Sequence, residues 1–293
     1  MKQNPRGGRA RPSVFSRTFR LVMFSTFAYF TAVGVIIPVL PRFVEGPLRG
    51  GSVAVGLAMG AFALTAVVLR PFVGRISDRR GRTILIIGGG LLMGASTAAY
   101  ALISDLEMLL VLRLVTGVGE AGFYVGVASI VNDLAPEERR GETLSYFSLA
   151  LFGGLATGPV LGEWLLVSSG FTATWLVAGA SACVAGVVGL VLPDTRPPGT
   201  SEQASRLIHP AALKPGTILA THIWALATFT SFVPLYALSL GMGGSRYVFA
   251  MHSIIVLAIR SLGARLPDIL GPRLSARLAL ICGSIGLPVM GFW

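Results

Sequence analysis

Charge is what this chain has least of. Only 13% of its 293 residues are Asp, Glu, Lys or Arg, the acidic residues number 13, and lysine occurs just twice, at Lys2 and Lys214. An ordinary soluble domain carries roughly 25% charged residues, and a soluble surface of this size needs them to stay in water. Hydrophobic residues make up 53% of the chain and its mean hydropathy is +0.74, so the solvent it is built for is lipid. Cysteine is almost as scarce. Cys183 and Cys282 sit in separate apolar stretches, which excludes a disulfide framework and a cysteine metal site. No H-E-x-x-H or G-x-S-x-G occurs, and neither lysine follows a glycine-rich turn, so the sequence implies no metal, no cofactor and no enzyme of those classes. The net charge of +11 raises the question of nucleic acid. The arginines lie in short clusters between apolar runs, not in one basic stripe, so no nucleic-acid partner is expected.

The long apolar runs define the architecture. A membrane-crossing helix needs about 20 such residues, and nine candidates appear: Leu21–Leu40, Val53–Val73, Thr83–Ile103, Leu109–Val131, Thr143–Val167, Ala173–Leu192, Thr217–Leu240, Tyr247–Leu266 and Ala276–Phe292. They are continuously apolar and too long for the alternating strands of a barrel, the other structure that satisfies its backbone in lipid. The expected fold class is an all-α integral membrane protein. Twenty basic residues fall on the N-terminal side of the membrane and three (Arg42, Arg49 and Arg246) on the other, which places the N-terminus in the cytoplasm. The basic N-terminus ahead of an apolar run resembles a signal peptide, but no small-residue cleavage site follows Leu40. It reads as an uncleaved first helix. The proline-rich polar stretch 193–216 then divides the chain. A basic tail (1–20) and a six-helix bundle (21–192) precede it, and a three-helix remainder (217–293) follows.

The segment after the second span reads Arg70-Pro71-Phe72-Val73-Gly74-Arg75-Ile76-Ser77-Asp78-Arg79-Arg80-Gly81-Arg82. A tight hairpin needs glycine where the chain turns, and Asp78 among arginines suits a charge-assisted pair with a neighbouring helix end. Shifting by 190 positions aligns Arg70, Arg75, Asp78 and Gly81 with Arg260, Arg265, Asp268 and Gly271, an internal repeat of the kind transporters are built from.

Gly74-x-x-x-Asp78-Arg79-x-Gly81-Arg82 resembles the signature loop of the major facilitator superfamily. That resemblance covers the chain from Phe19 onward and implies a helical bundle with nine of an expected twelve transmembrane helices. It further implies a multi-pass transporter of the cell membrane working by alternating access, with lipid, a small-molecule substrate and protons as partners. Hydrophobic drug-like compounds are the favoured substrates and export the favoured direction; sugars or other metabolites are the alternative. The rival is a transport-incompetent fragment, or a chain completed by a separate C-terminal piece.

Ionisable residues at membrane depth are costly and mark function. Arg113 and Glu120 lie seven residues apart on nearly one face of the fourth span. Leu109-x-x-x-Arg113-x-x-x-Gly117 is similar to the family's helix-four motif, which implies that Arg113 faces a central cavity and tunes a proton-cycling acid, with Glu120 the candidate. Gly117-x-Gly119-x-x-Gly122 matches the dinucleotide fingerprint but lacks the preceding strand; small residues here let helices approach closely. Gly154-x-x-x-Gly158-Pro159-x-x-Gly162 resembles the family's antiporter motif in helix five, with Glu163 where a second glycine often follows. Pro38-x-x-Pro41 is similar to drug exporters, although the first span lacks the acid those relatives often carry. Phe27, Phe30, Trp224 and Phe232 are candidates for lining a cavity. His222 and His252 are candidates for proton shuttling, though a lone histidine more often simply packs.

Overall fold

Side-chain capping sets where the first elements start. In the computed structural model, which describes residues 16–195, 213–262 and 270–291, Ser16 accepts a hydrogen bond from the Phe19 amide at 3.1 Å and α1 runs from Arg17 to Glu45. Pro38 and Pro41 lie buried inside α1 instead of flanking its exit; packing against neighbours compensates for the N–H groups they lack. The second helix, α2, spans Gly51–Arg80 and α3 spans Arg82–Ala98, continued by a 3-10 turn, Ala99–Leu102. Asp105 accepts from the Met108 amide at 2.8 Å and opens α4, Leu106–Leu134.

The fifth helix, α5, runs from Arg140 to Val188 and breaks at Gly170, whose φ of 78° and ψ of −176° leave the helical region. Its two arms run in opposite directions along α1. Gly154 and Gly162 on the first arm meet Phe27 and Val35 in rising order. On the second arm Trp175 meets Phe43 and Ala185 meets Ser25, in falling order. Five described helical stretches are long and apolar enough to cross a membrane, one of them the 50-residue stretch Glu142–Val191. That length is about twice what one span needs. The remaining described helices are α6 (Leu213–Ser239), α7 (Arg246–Leu262) and α8 (Pro272–Gly291). The structure is thus an all-α membrane protein. Among the described residues these stretches do not establish the expected total of nine spans.

Lipid tails are as apolar as leucine, so close packing and hydrogen bonds must hold such helices together. Two serines join α1 to the second arm: the buried Ser25 donates its Oγ to the Ala185 carbonyl and Ser181 Oγ donates to that of Ala28, both at 2.8 Å. Trp175 packs edge-on against Phe43 and Tyr100, with ring centres 5.6 and 5.4 Å away. Thr116 on α4 is hydrogen-bonded to the Tyr100 hydroxyl at 2.6 Å and the Ser96 hydroxyl at 3.2 Å, tying it to the end of α3. α2 and α3 both lie along α4, and α3 also lies along α5. α7 runs antiparallel to the first arm of α5, with Ser253 Oγ donating to the Ala156 carbonyl at 2.9 Å. One face of the bundle carries the turn at Gly81; the opposite face holds the end of α1 and the start of α7.

Candidate functional site

Arg113 and Glu120 both turn from α4 towards α2, but they are not partners. Nε of Arg113 donates to the Ala58 carbonyl at 2.9 Å, and the guanidinium lies 4.5 Å from the centre of the Phe62 ring. Arg113 is 4% exposed, and among the described residues no carboxylate lies within ion-pair distance of it. In this structure it is clamped against α2. Glu120 pairs instead with Arg70, Nη2 to Oε1 at 2.9 Å. The Arg70 guanidinium also sits 4.5 Å over the Tyr124 ring. The other Glu120 oxygen, Oε2, and the hydroxyl of Tyr29 are buried without hydrogen-bond partners. Tyr29 stacks on Phe123, one turn beyond Glu120, at 3.8 Å.

Arg70 was expected in a loop. Residues 70–80 are helical, and the turn shrinks to Gly81, because a run of arginines extends a helix into the headgroup layer as readily as it ends one. Gly81 has φ 102°, and a Cβ there would collide with the Asp194 carboxylate. A Cβ on Gly74 would meet nothing within 4 Å, and the chain does not turn there. Arg79 sits in the last turn of α2. The buried hub of the motif is Arg82 rather than Asp78. Its Nε bonds Asp133 at 3.0 Å, its amide donates to Asp194 at 3.1 Å, and its Nη2 lies 3.6 Å from the exposed Asp78. Thr195 completes the cluster by donating to Asp133 at 2.6 Å. The ends of α2, α3, α4 and α5 are thereby tied together. In the second copy of the motif, Asp268 lies outside the described residues. Gly271 has φ 77° and directly precedes α8.

The helix-five glycines form the contact with α1. A Cβ on Gly154 would lie 2.6 Å from the Phe27 carbonyl, and one on Gly162 would lie 2.6 Å from that of Val35. Between them Gly158, next to Pro159, faces Gly34, whose own Cβ would meet Gly158 Cα at 2.9 Å and Pro159 at 3.0 Å. The glycines of the false dinucleotide motif serve helix packing too. Gly117 abuts the Phe62 carbonyl of α2, and Gly119 and Gly122 face α3 at Gly89.

A cavity of about 510 Å³ opens on the Gly81 face between α1, α5 and α7. Phe27 lines it, with Phe19, Phe24, Tyr146 and Leu257, and Arg20 is its one charged lining residue. The other three aromatic candidates do not line this cavity. Phe30 is buried against Tyr29 and Tyr124, Trp224 is 79% exposed away from it, and Phe232 does not line it. His252 packs its ring 5.4 Å from Phe229; the side chain of His222 lies outside the described residues.

On the opposite face stands a cluster that the sequence did not announce. Glu163, 1% exposed, accepts from Arg42 Nη1 at 2.8 Å, from Ser245 Oγ at 2.6 Å and from the Ser245 amide at 3.2 Å. Its only sequence signal was an acid where a glycine often stands; Arg42 and Ser245 gave none.

The described helices thus combine paired glycine seams, a charged turn on one face and buried ion pairs in one all-α membrane fold. The chain belongs to the Major Facilitator Superfamily, whose family model matches residues 22–293. That family comprises transporters, not enzymes. The chain is 28% identical over 227 residues to multidrug resistance protein 1 of Bacillus subtilis (strain 168), covering 75% of this chain and 58% of that protein. It is 27% identical over 172 residues to the quinolone resistance protein NorA of Staphylococcus aureus (strain Mu50 / ATCC 700699), covering 59% of this chain and 44% of that one. It thus spans roughly half the length of these relatives. Its fold is similar to that of a bacterial homologue of the human lysosomal transporter Spinster in an inward-facing, occupied conformation (TM-score 0.71, 18% identity, 92% of this chain and 63% of that one). It is also similar to the human organic anion transporter MFSD10 (TM-score 0.66, 18% identity, 87% and 73%).

Proposed function

We propose that the chain serves the proton-coupled export of small amphipathic molecules across the cell membrane by alternating access, with its N-terminus in the cytoplasm. The proposal includes a six-helix bundle over 21–192, a cytoplasmic linker over 193–216 and a partial second bundle from 217 onward. The observation that carries the substrate class is the 510 Å³ cavity, within the range that takes drug-sized ligands. Its lining is aromatic and aliphatic, with Arg20 and the Tyr146 hydroxyl as its side-chain polar groups. A sugar carries a hydrogen-bonding group on nearly every carbon and would leave most of them unpaired there. The similarity to proteins named for multidrug and quinolone resistance favours the same class. In this orientation the cavity opens to the cytoplasm, where an exporter loads.

Coupling is assigned to Arg70 and Glu120. A carboxylate at this depth needs a partner to remain ionised, and Arg70 provides it. Protonation of Glu120 frees Arg70, the more exposed of the two at 41% against 7%, to leave its place over the Tyr124 ring for the solvent side. Asp78, exposed on the Gly81 face and paired with Arg82 at 3.6 Å, can exchange that pair for one across the two bundles when that face closes.

The test is uptake of a fluorescent amphipathic cation into inverted vesicles carrying this chain under an imposed pH gradient. Uptake that follows the gradient and is absent with a sugar supports the reading. Uptake only when a C-terminal three-helix piece is co-expressed makes this chain one part of the carrier. No uptake in either arrangement contradicts the proposal.

A further inference from the structure

We propose that Glu163 is a positioning residue for transport. It latches the face opposite Gly81 shut, and its two bonds to Ser245 must break for that face to open, while Arg42 holds the carboxylate in place. The inference rests on the orientation given above, which makes this face the outer one.

The chemistry of the cluster supports a latch more than a static brace. All three groups that meet Glu163 donate: the Arg42 guanidinium at 2.8 Å, the Ser245 hydroxyl at 2.6 Å and the Ser245 amide at 3.2 Å. Charge-assisted bonds of this kind are the strong ones. Their bearers lie on parts of the chain far apart in sequence: Arg42 near the end of α1, Glu163 on the first arm of α5, and Ser245 immediately before α7. α1 and α5 belong to the proposed first bundle and α7 to the second, so this one carboxylate bridges the two. The carboxylate also sits at the start of α7, where the helix dipole favours negative charge. Gly244 accommodates it: φ is 146°, and a Cβ there would stand 2.7 Å from Glu163 Oε2. Below the latch, Ser253 Oγ donates across the α5–α7 seam to the Ala156 carbonyl. The cavity at the other end of the same seam, where Leu257 faces Ala150 and Gly153, is open. A seam shut at one end by a multi-bonded carboxylate and open at the other is what alternation requires of a single conformation.

The experiment measures accessibility. In a background with Cys183 and Cys282 replaced by Ser, Ser253→Cys reports access below the latch and Pro47→Cys, in the exposed turn between α1 and α2, reports sidedness. Both are reacted with a membrane-impermeant thiol reagent in right-side-out vesicles. Position 253 is expected to react slowly with the latch intact. Glu163→Gln and, independently, Arg42→Gln are expected to speed it about tenfold or more, since the first takes the charge out of both bonds to Ser245 and the second removes the guanidinium that holds the carboxylate towards them. Ser245→Ala, which leaves the Ser245 amide bond to Glu163 in place, should speed it less. Two different variants guard against misfolding of one, and position 47 should react equally in all of them. Unchanged rates at 253 in both Gln variants, or fast reaction with the latch intact, overturn the latch. Reaction at 47 only from the inside overturns the orientation, and with it the outer placement of the latch.

Discussion

Gly34 and Gly158 stand so close that neither tolerates a side chain: a Cβ on Gly158 would lie 2.5 Å from Gly34 Cα, and one on Gly34 2.9 Å from Gly158 Cα. The obstacle is backbone on both sides, so no rotamer change relieves it. Gly158→Ala must push α1 from α5 and should destabilise the protein by about 2 kcal/mol, as overpacked sites do. Gly153→Ala is the control, because its Cβ would meet only the Phe27 ring edge at 3.5 Å, an ordinary contact. Thermal unfolding in detergent should lower the midpoint for the first and leave the second near wild type. Equal midpoints would remove this account of the motif.

The two glycines of the charged turn should separate in the same way. Gly81→Ala places a side chain at φ 102° and against Asp194, at a cost of roughly 1–3 kcal/mol. Gly74→Ala, inside α2 with nothing near it, should be neutral or slightly stabilising, since alanine is the better helix former. Comparing folded yield and unfolding midpoint of the two variants decides the matter.

Within the same motif, Arg82 should matter more for stability than Asp78. Arg82 is buried and bonds Asp133, while Asp78 is largely exposed at 3.6 Å from it, and exposed pairs contribute little. Arg82→Ala leaves Asp133 with its charge partner gone and should cost about 1.5–3 kcal/mol. Asp78→Asn should shift the unfolding midpoint by no more than a degree or two. A larger loss from Asp78→Asn would mean that the acid, not the arginine, organises this end.

Arg113 should act through geometry rather than charge alone. It both caps the Ala58 carbonyl and covers the Phe62 ring, and lysine lacks the planar group that does both. Arg113→Lys should therefore lose most of the stability that Arg113→Ala loses. Full rescue by lysine would contradict the clamp.

The class of the fold was legible because lipid imposes it: few charges, long apolar runs, and basic residues on one side permit little else. The glycine motif of helix five was legible in position, and its physical partner, Gly34, lay in a small-residue position on α1 that carried no motif. Boundaries were less legible. Residues 70–80 look like a loop by charge, yet a helix can carry charge past the hydrocarbon, and that extension is what brings Arg70 to Glu120. Pairings between distant residues were not legible at all. Nothing in the local sequence of Ser245 or Asp194 signals the carboxylate or arginine it meets, since those contacts are set by how whole helices cross.

The most direct test of the proposed coupling is substrate-induced proton release from the purified chain in weakly buffered solution, followed with a pH indicator. Adding an amphipathic cation should release protons, and Glu120→Gln should abolish that release while cation binding persists. Proton release of equal size in Glu120→Gln, or binding with no release in the unaltered chain, would contradict proton exchange at Glu120.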